Sequence, residues 1–268
     1  MPELPEVQTV VNSLQNIVNN RIVDFSSSWK RVIYNKSSET FRKIIHNKKI
    51  TSIHRIGKYI IISLDNIILA CHLRMTGYLY ISPKIPINKK HVRCYFEISN
   101  NSYLVFEDIR KFGGFYLYNN LDIINKKLGV DPFDKSFTKT WLLDNLKDKN
   151  RKIKNLLLDQ AFICGLGNIY VDEVLWHTKV LPNKLSSKIS KLKVSQMHFY
   201  IKHILEESIK HHGTTIINFK FDNMKTGNYK NNLKVYGRES LPCFSCDTLI
   251  SKNKTAGRST HFCKSCQN

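Results

Sequence analysis

Apolar positions Leu4, Val7, Val10, Val11, Leu14, Ile17 and Val18 recur at helical spacing and stop at Asn19-Asn20, which predicts an amphipathic helix with Pro2 at its start. The pattern then shortens. Val23 to Val32 reads as strand, and Ser37-Ser38 caps a short helix over Glu39 to His46. Strand-like runs follow at Ile50 to Ile56, Lys58 to Leu64, Ile67 to Leu73, Tyr78 to Ser82, Val92 to Ile98, Tyr103 to Asp108 and Gly113 to Tyr118. Asp65-Asn66 and Asn100-Asn101 fall where hairpin turns belong. Short strands at this spacing predict an antiparallel sandwich or barrel, with the first helix beside it. Beyond Gly129-Val130-Asp131-Pro132, helix-favouring stretches take over at Arg151 to Gln160, Ile169 to His177 and Ser195 to His211, which places a domain boundary near residues 119–135. Asp222 to Asn232 is polar and predicts a mobile loop.

Charge narrows the function. The 268 residues hold 42 Lys+Arg against 21 Asp+Glu, a net +21 spread along the whole chain, so a polyanion is the expected partner and nucleic acid the first choice. No apolar run approaches the roughly 18 residues of a membrane span, and the acidic start is no signal peptide, so a cytosolic protein is expected. Cys71, Cys94 and Cys164 lie in apolar stretches and read as reduced core residues.

Candidate chemistry sits at both ends of the chain. If the initiator Met1 is removed, Pro2 becomes a secondary amine with a pKa near about 8, nucleophilic without burial, and Glu3 and Glu6 place carboxylates beside it. The same residues also suit a plain helix start. Lys58 follows Gly57 at the beginning of an apolar strand, where its amine can be held at a cleft. His72-Leu73-Arg74-Met75-Thr76-Gly77 and Asp108-Ile109-Arg110-Lys111-Phe112-Gly113-Gly114 each put an apolar side chain among basic ones. Met75 and Phe112 read either as core residues or as a wedge that fills the void left by an extruded nucleotide, with an arginine to pair the orphaned base. Cys164-Gly165-Leu166-Gly167-Asn168 opens a helix whose N–H groups suit phosphate, or forms a helix-pair turn. His211-His212 lacks a third ligand and is not read as a metal site. Cys243-x-x-Cys246 and Cys263-x-x-Cys266, sixteen residues apart, have the spacing of a four-thiolate structural zinc site. Lys252, Lys254, Arg258 and His261 lie between the two pairs, on an expected two-stranded finger suited to a nucleic-acid backbone.

Seven stretches, in order from residue 2 to residue 267, resemble bacterial formamidopyrimidine-DNA glycosylases: Pro2 to Val7, Gly57-Lys58-Tyr59, His72 to Gly77, Arg110 to Gly113, Gly165 to Tyr170, Val235 to Glu239 and Gly257 to Cys263. The resemblance implies an α+β protein, a two-domain clamp that holds damaged duplex DNA in its cleft. An N-terminal β-sandwich with an N-terminal helix (1–131) would precede a helix-two-turn-helix domain (132–234) and a four-cysteine zinc finger (235–268). It implies Pro2 as Schiff-base nucleophile, Glu3 as proton donor, and Lys58 and Arg258 as proton-transfer groups in β- and δ-elimination. His91, Arg110 and Arg151 match DNA contacts, Met75, Arg110 and Phe112 the void-filling trio, and Lys154, Asn168 and Arg258 a phosphate grip. One structural zinc on Cys243, Cys246, Cys263 and Cys266 is implied, with no catalytic metal or organic cofactor. The expected protein is a monomeric, cytoplasmic, nucleoid-associated bacterial enzyme that removes oxidised purines and then cuts the strand. Two departures, Ile109 for the usual Pro and Asn228-Tyr229 in the lesion loop, bear on base choice. The competing readings are an endonuclease VIII-like enzyme for oxidised pyrimidines, which typically has Gly where this chain has Pro5, and a non-catalytic zinc-finger DNA-binding protein.

Overall fold

Helix α1 (Leu4–Ser13) begins where the sequence places it, because Pro2 and Pro5 favour a helix start and Glu6 accepts the N–H of Glu3 at 2.7 Å. It ends at Ser13, short of the predicted Val18: the Leu14 N–H closes on Val10 and Val11, and a single 3-10 turn carries the apolar stripe on to Ile17. The structure is a computed structural model that describes residues 1–86, 90–215 and 225–268. It divides into two units, residues 1–124 with 211–228, and residues 125–210 with 229–268.

The first unit is an antiparallel β-sandwich. One sheet has the order β1-β6-β7-β5, from Ile22–Ser27 (β1), Val92–Ile98 (β6), Ser102–Asp108 (β7) and Gly77–Ser82 (β5). The other has the order β2-β3-β4-β8, from Ile50–Ile56 (β2), Tyr59–Leu64 (β3), Ile67–His72 (β4) and Gly114–Tyr118 (β8). A core of Val10, Leu14, Phe41, Ile60, Ile62, Phe96, Phe106 and Phe115 joins the sheets to α1 and to α2 (Ser38–Ile45), which Ser37 caps at the Thr40 N–H. Strand β1 stops at Ser27, where the Ser27 hydroxyl turns the chain by accepting the Trp29 N–H, and the remainder of the predicted strand is a 3-10 turn at Lys30–Val32. Asp65 and Asn101 take positive φ at the β3–β4 and β6–β7 turns, as their side chains allow.

The second unit is helical: α3 (Asp122–Asn125) leads into it, followed by α4 (Lys139–Lys147), α5 (Ile153–Leu157), α6 (Asn168–His177) and α7 (Lys191–Lys210). Helix α5 is shorter than its sequence predicts, since Asp159 accepts the Ala161 N–H and turns the chain. The unit ends in the hairpin β9 (Ser251–Thr255) and β10 (Arg258–Phe262), joined by Ala256 and Gly257, both at positive φ.

Candidate nucleic-acid repair site

The start of α1 is dry. Glu3 is 3% and Glu6 1% exposed, and Pro2 is buried with them while Met1 stays half exposed. With Met1 in place the Pro2 nitrogen belongs to a peptide bond and its lone pair is delocalised. The Glu6 carboxylate is fully engaged. One oxygen accepts the Glu3 N–H and the other accepts the Thr214 N–H at 2.7 Å. That second bond ties α1 to a two-legged stem in which Thr214 bridges Asn228 and Gly227 donates to the Thr215 hydroxyl at 2.8 Å. Glu6 therefore fixes backbone on both of its oxygens.

Lys58 sits in the two-residue turn between β2 and β3, and it is 6% exposed. Arg55 stabilises that turn by donating to the Gly57 carbonyl at 3.0 Å and to Gln8 of α1 at 3.2 Å. The Tyr59↔His72 pairing of β3 with β4 puts Lys58 at the same end of the sheet as the Met75 loop. His72 is buried there, and its Nδ1 accepts the Arg74 N–H at 3.0 Å. Burial, with the cations of Arg74 and Lys58 adding to it, lowers the His72 imidazole from 6.5 to about 3. Native His72 stays neutral while the unfolded chain takes up a proton below its ordinary value, so this stability is complete above about pH 6.5 and is lost as pH falls toward about 3. Thermal melts should therefore show a His72-linked loss of about 2 kcal/mol between pH 7 and pH 5. A His72→Gln chain, which keeps an acceptor for Arg74, should lack that component; equal acid sensitivity in both chains would refute it.

Two loops cross from one sheet to the other side by side. Residues 73–76 join β4 to β5 and residues 109–113 join β7 to β8, framed by the pairs Gly77↔Asp108 and His72↔Gly114. This register brings the predicted trio together: Arg110 Nη1 lies 2.9 Å from Met75 Sδ, and the Arg110 guanidinium lies 4.7 Å from the Phe112 ring centre. Met75 and Phe112 are 42% and 49% exposed, which rules out the core reading for both. Ile109, 56% exposed, extends the same apolar patch. A Cβ on Gly113 would stand 2.8 Å from Phe106 and 2.9 Å from the Leu73 carbonyl, so only glycine lets the two loops run this close. His91 lies at the root of this region, its carbonyl accepting the Asp108 N–H at 3.0 Å.

Lys154 is wholly buried, with Nζ 2.6 Å from Asp172 and 3.2 Å from the Ser259 carbonyl. Its ammonium thus ties α5 to Asp172 of α6 and to the finger hairpin. Asn168 donates to the same Ser259 carbonyl at 2.7 Å, and Asp172 also accepts the His261 N–H at 2.9 Å. Arg258, next to Ser259, remains exposed, as does Arg151, which pairs with Asp159 at 2.8 Å. Glu173 accepts the N–H groups of Lys234, Val235 and Tyr236. Burial raises its pKa against those three donors. The sequence reading passed over Asp172 and Glu173, although adjacent carboxylates in the apolar run Ile169 to Trp176 signal buried, satisfied charge. Of the predicted mobile loop, residues 222–224 lie outside the described residues. Tyr229 is buried near Tyr170 in a 3-10 turn.

The four cysteine sulfurs lie within 4.8 Å of one another, with Cys243–Cys266 at 3.8 Å, Cys246–Cys263 at 3.5 Å and Cys246–Cys266 at 3.2 Å. Four thiolates at 2.3 Å from a tetrahedral ion stand about 3.8 Å apart, so the set fits zinc. Trp176 Nε1 and the Cys266 N–H each point at a sulfur, at 3.4 Å, as donors to thiolates do.

A β-sandwich headed by a buried Pro-Glu helix start, a helical unit and a four-cysteine finger define a class of DNA-repair proteins. Residues 1–115 match the family model for the formamidopyrimidine-DNA glycosylase N-terminal domain, 128–220 the H2TH domain of the same enzymes, and 240–268 the zinc finger found in FPG and IleRS. The chain is 37% identical over 279 residues to a Formamidopyrimidine-DNA glycosylase of Ureaplasma parvum serovar 3, covering 100% of both. It also resembles a Lactococcus lactis FPG variant solved with Fapy-dG containing DNA (TM-score 0.93, 35% identity, 100% of both chains). Similar too is the wild-type Lactococcus lactis protein in complex with an oxidized pyrimidine containing DNA (TM-score 0.91, 34% identity, 100% of both chains). The chain belongs to the formamidopyrimidine-DNA glycosylase family.

Proposed function

We propose that the protein is a bifunctional DNA glycosylase and abasic-site lyase that removes oxidised purines, 8-oxoguanine and ring-opened formamidopyrimidines, from duplex DNA. The buried Pro2-Glu3 pair, held by Glu6 in the same unit as the Met75, Arg110 and Phe112 cluster, carries this reading. Removal of Met1 frees the Pro2 amine. Pro2 attacks the sugar C1′ as the glycosidic bond breaks and the damaged base departs. Glu3 donates a proton to the ring oxygen as the sugar opens, leaving a cationic iminium that acidifies C2′–H. Loss of that proton, aided by Lys58, expels the 3′ phosphate. A second elimination aided by Arg258 expels the 5′ phosphate, and water then releases Pro2. Met75, Arg110 and Phe112 fill the vacated stack, while His91, Arg151 and Asn168 contact the DNA backbone. One structural zinc on the four cysteines holds the finger hairpin. The protein works in the cytoplasm on the nucleoid, with one active centre per chain and no partner subunit. Among the described residues no helix is long and apolar enough to cross a membrane.

A second reading, activity on oxidised pyrimidines, draws on the Lactococcus lactis complex with such DNA. A panel of end-labelled duplexes separates the readings. Cutting at 8-oxoguanine and formamidopyrimidine at least about tenfold faster than at oxidised pyrimidines is expected, a difference of about 1.4 kcal/mol in transition-state binding. Reversed preference would support the second reading, and no cutting of any duplex would leave a DNA-binding protein without catalysis.

A further inference from the structure

Asp108 ends β7 with no solvent exposure and no place in the chemistry above, yet its carboxylate meets four donors. One oxygen accepts the Thr76 hydroxyl and the Arg110 N–H, the latter at 3.1 Å. The other accepts the N–H groups of Phe112 at 2.8 Å and Gly113 at 2.7 Å. The Thr76 hydroxyl in turn accepts the Arg110 N–H at 3.1 Å, so one side chain binds both loops that bear the exposed trio. From behind, Arg93 donates to the Asp108 carbonyl at 2.6 Å. In front, the Tyr34 hydroxyl donates to the Phe112 carbonyl at 2.6 Å. Both loops hold a non-glycine residue at positive φ one step before the wedge, Arg74 (φ 53°) before Met75 and Lys111 (φ 59°) before Phe112. Such conformations persist only where surrounding bonds enforce them.

We propose that Asp108 is a positioning residue: it sets the geometry of Met75, Arg110 and Phe112 and through them the choice of the base opposite the lesion. This rests on the glycosylase reading. An asparagine of the same size cannot replace it. A carboxylate accepts on both oxygens, whereas a carboxamide in either orientation turns its NH2 toward two of the four donors. Arg110 and Phe112 would then lose their fixed directions while Pro2, Glu3 and the core keep theirs.

The test compares Asp108→Asn with the unaltered protein on duplexes carrying 8-oxoguanine opposite C or opposite A, and on a single-stranded oligonucleotide with an abasic site. The single strand has neither an opposing base nor a stack to wedge. The expected result is a fall of about tenfold in the C-over-A ratio of kcat/KM, with single-strand cutting within about twofold of the original. Combining Asp108→Asn with Arg110→Ala should lower the ratio no further than Arg110→Ala alone, because both act through one guanidinium. Should Asp108→Asn fail to fold, Thr76→Val, which removes the hydroxyl that bonds both Asp108 and the Arg110 N–H, should lower the ratio about threefold. An unchanged ratio, or equal losses on single and double strands, would overturn the proposal. Failure of the unaltered protein to cut either 8-oxoguanine duplex would instead remove the glycosylase reading beneath it.

Discussion

A chain whose Met1 is held on Pro2 by an uncleavable N-terminal extension is expected to lose base excision and borohydride-trapped adduct by at least about a thousandfold. The reason is the nitrogen itself. In the Met1–Pro2 peptide its lone pair is delocalised into the carbonyl, whereas the freed secondary amine is a nucleophile at neutral pH. Binding to abasic-site DNA should change little, since Met1 is half exposed and the wedge residues lie on other elements. Pro2→Gly should give a graded version of the same defect. A primary amine forms an imine that must stay protonated to draw electrons, while proline's iminium carries its charge permanently. Trapping should therefore fall by about a hundredfold with binding retained. Mass spectrometry of the trapped species locates the adduct, and full activity in molecules that still carry Met1 would exclude Pro2 as the nucleophile.

Stripping the metal from the four-cysteine finger should unfold residues 235–268 locally and weaken duplex binding by about a hundredfold at physiological salt. The finger has almost no core of its own: Val235, Cys243, Ile250 and Cys263 form its buried cluster, with Trp176 packed against them. Four thiolates left without an ion repel or protonate, and the β9–β10 hairpin loses the frame that holds Lys252, Lys254 and Arg258. The helical core should survive, because Leu142, Leu157, Tyr170 and Leu205 are buried outside the finger's own cluster. Circular dichroism and DNA titration of a chelated sample, verified metal-free and then refilled with zinc, check both parts. Equal DNA affinity in metal-free and metal-bound protein would show that the finger does not grip the duplex.

Most strands were legible because alternation and turn chemistry are local. Val92–Ile98 and Ile50–Ile56 carry their pattern within seven residues, and Asp65 and Asn101 mark the turns between neighbours. The four-cysteine cluster was legible from spacing alone, since two knuckles bring four sulfurs together with little help from elsewhere. Helix ends were less legible. Leu14 and Ile17 continue the apolar stripe of α1 even though hydrogen bonding has already left the α-helical ladder.

The sequence by itself determined the sandwich-forming strands, the acidic proline terminus, the metal-binding thiols and a charge of +21 that demands a polyanion. All of these reside in short-range pattern or in summed composition. Only the tertiary structure decided what the buried charges do. Glu6 meets Thr214 across 208 residues of chain, Lys154 meets Asp172 and Ser259 instead of solvent, and Asp108 ties two loops together. The physical reason is that a buried carboxylate or ammonium must be satisfied by whichever donors or acceptors packing delivers, and packing is set by contacts between residues far apart in sequence.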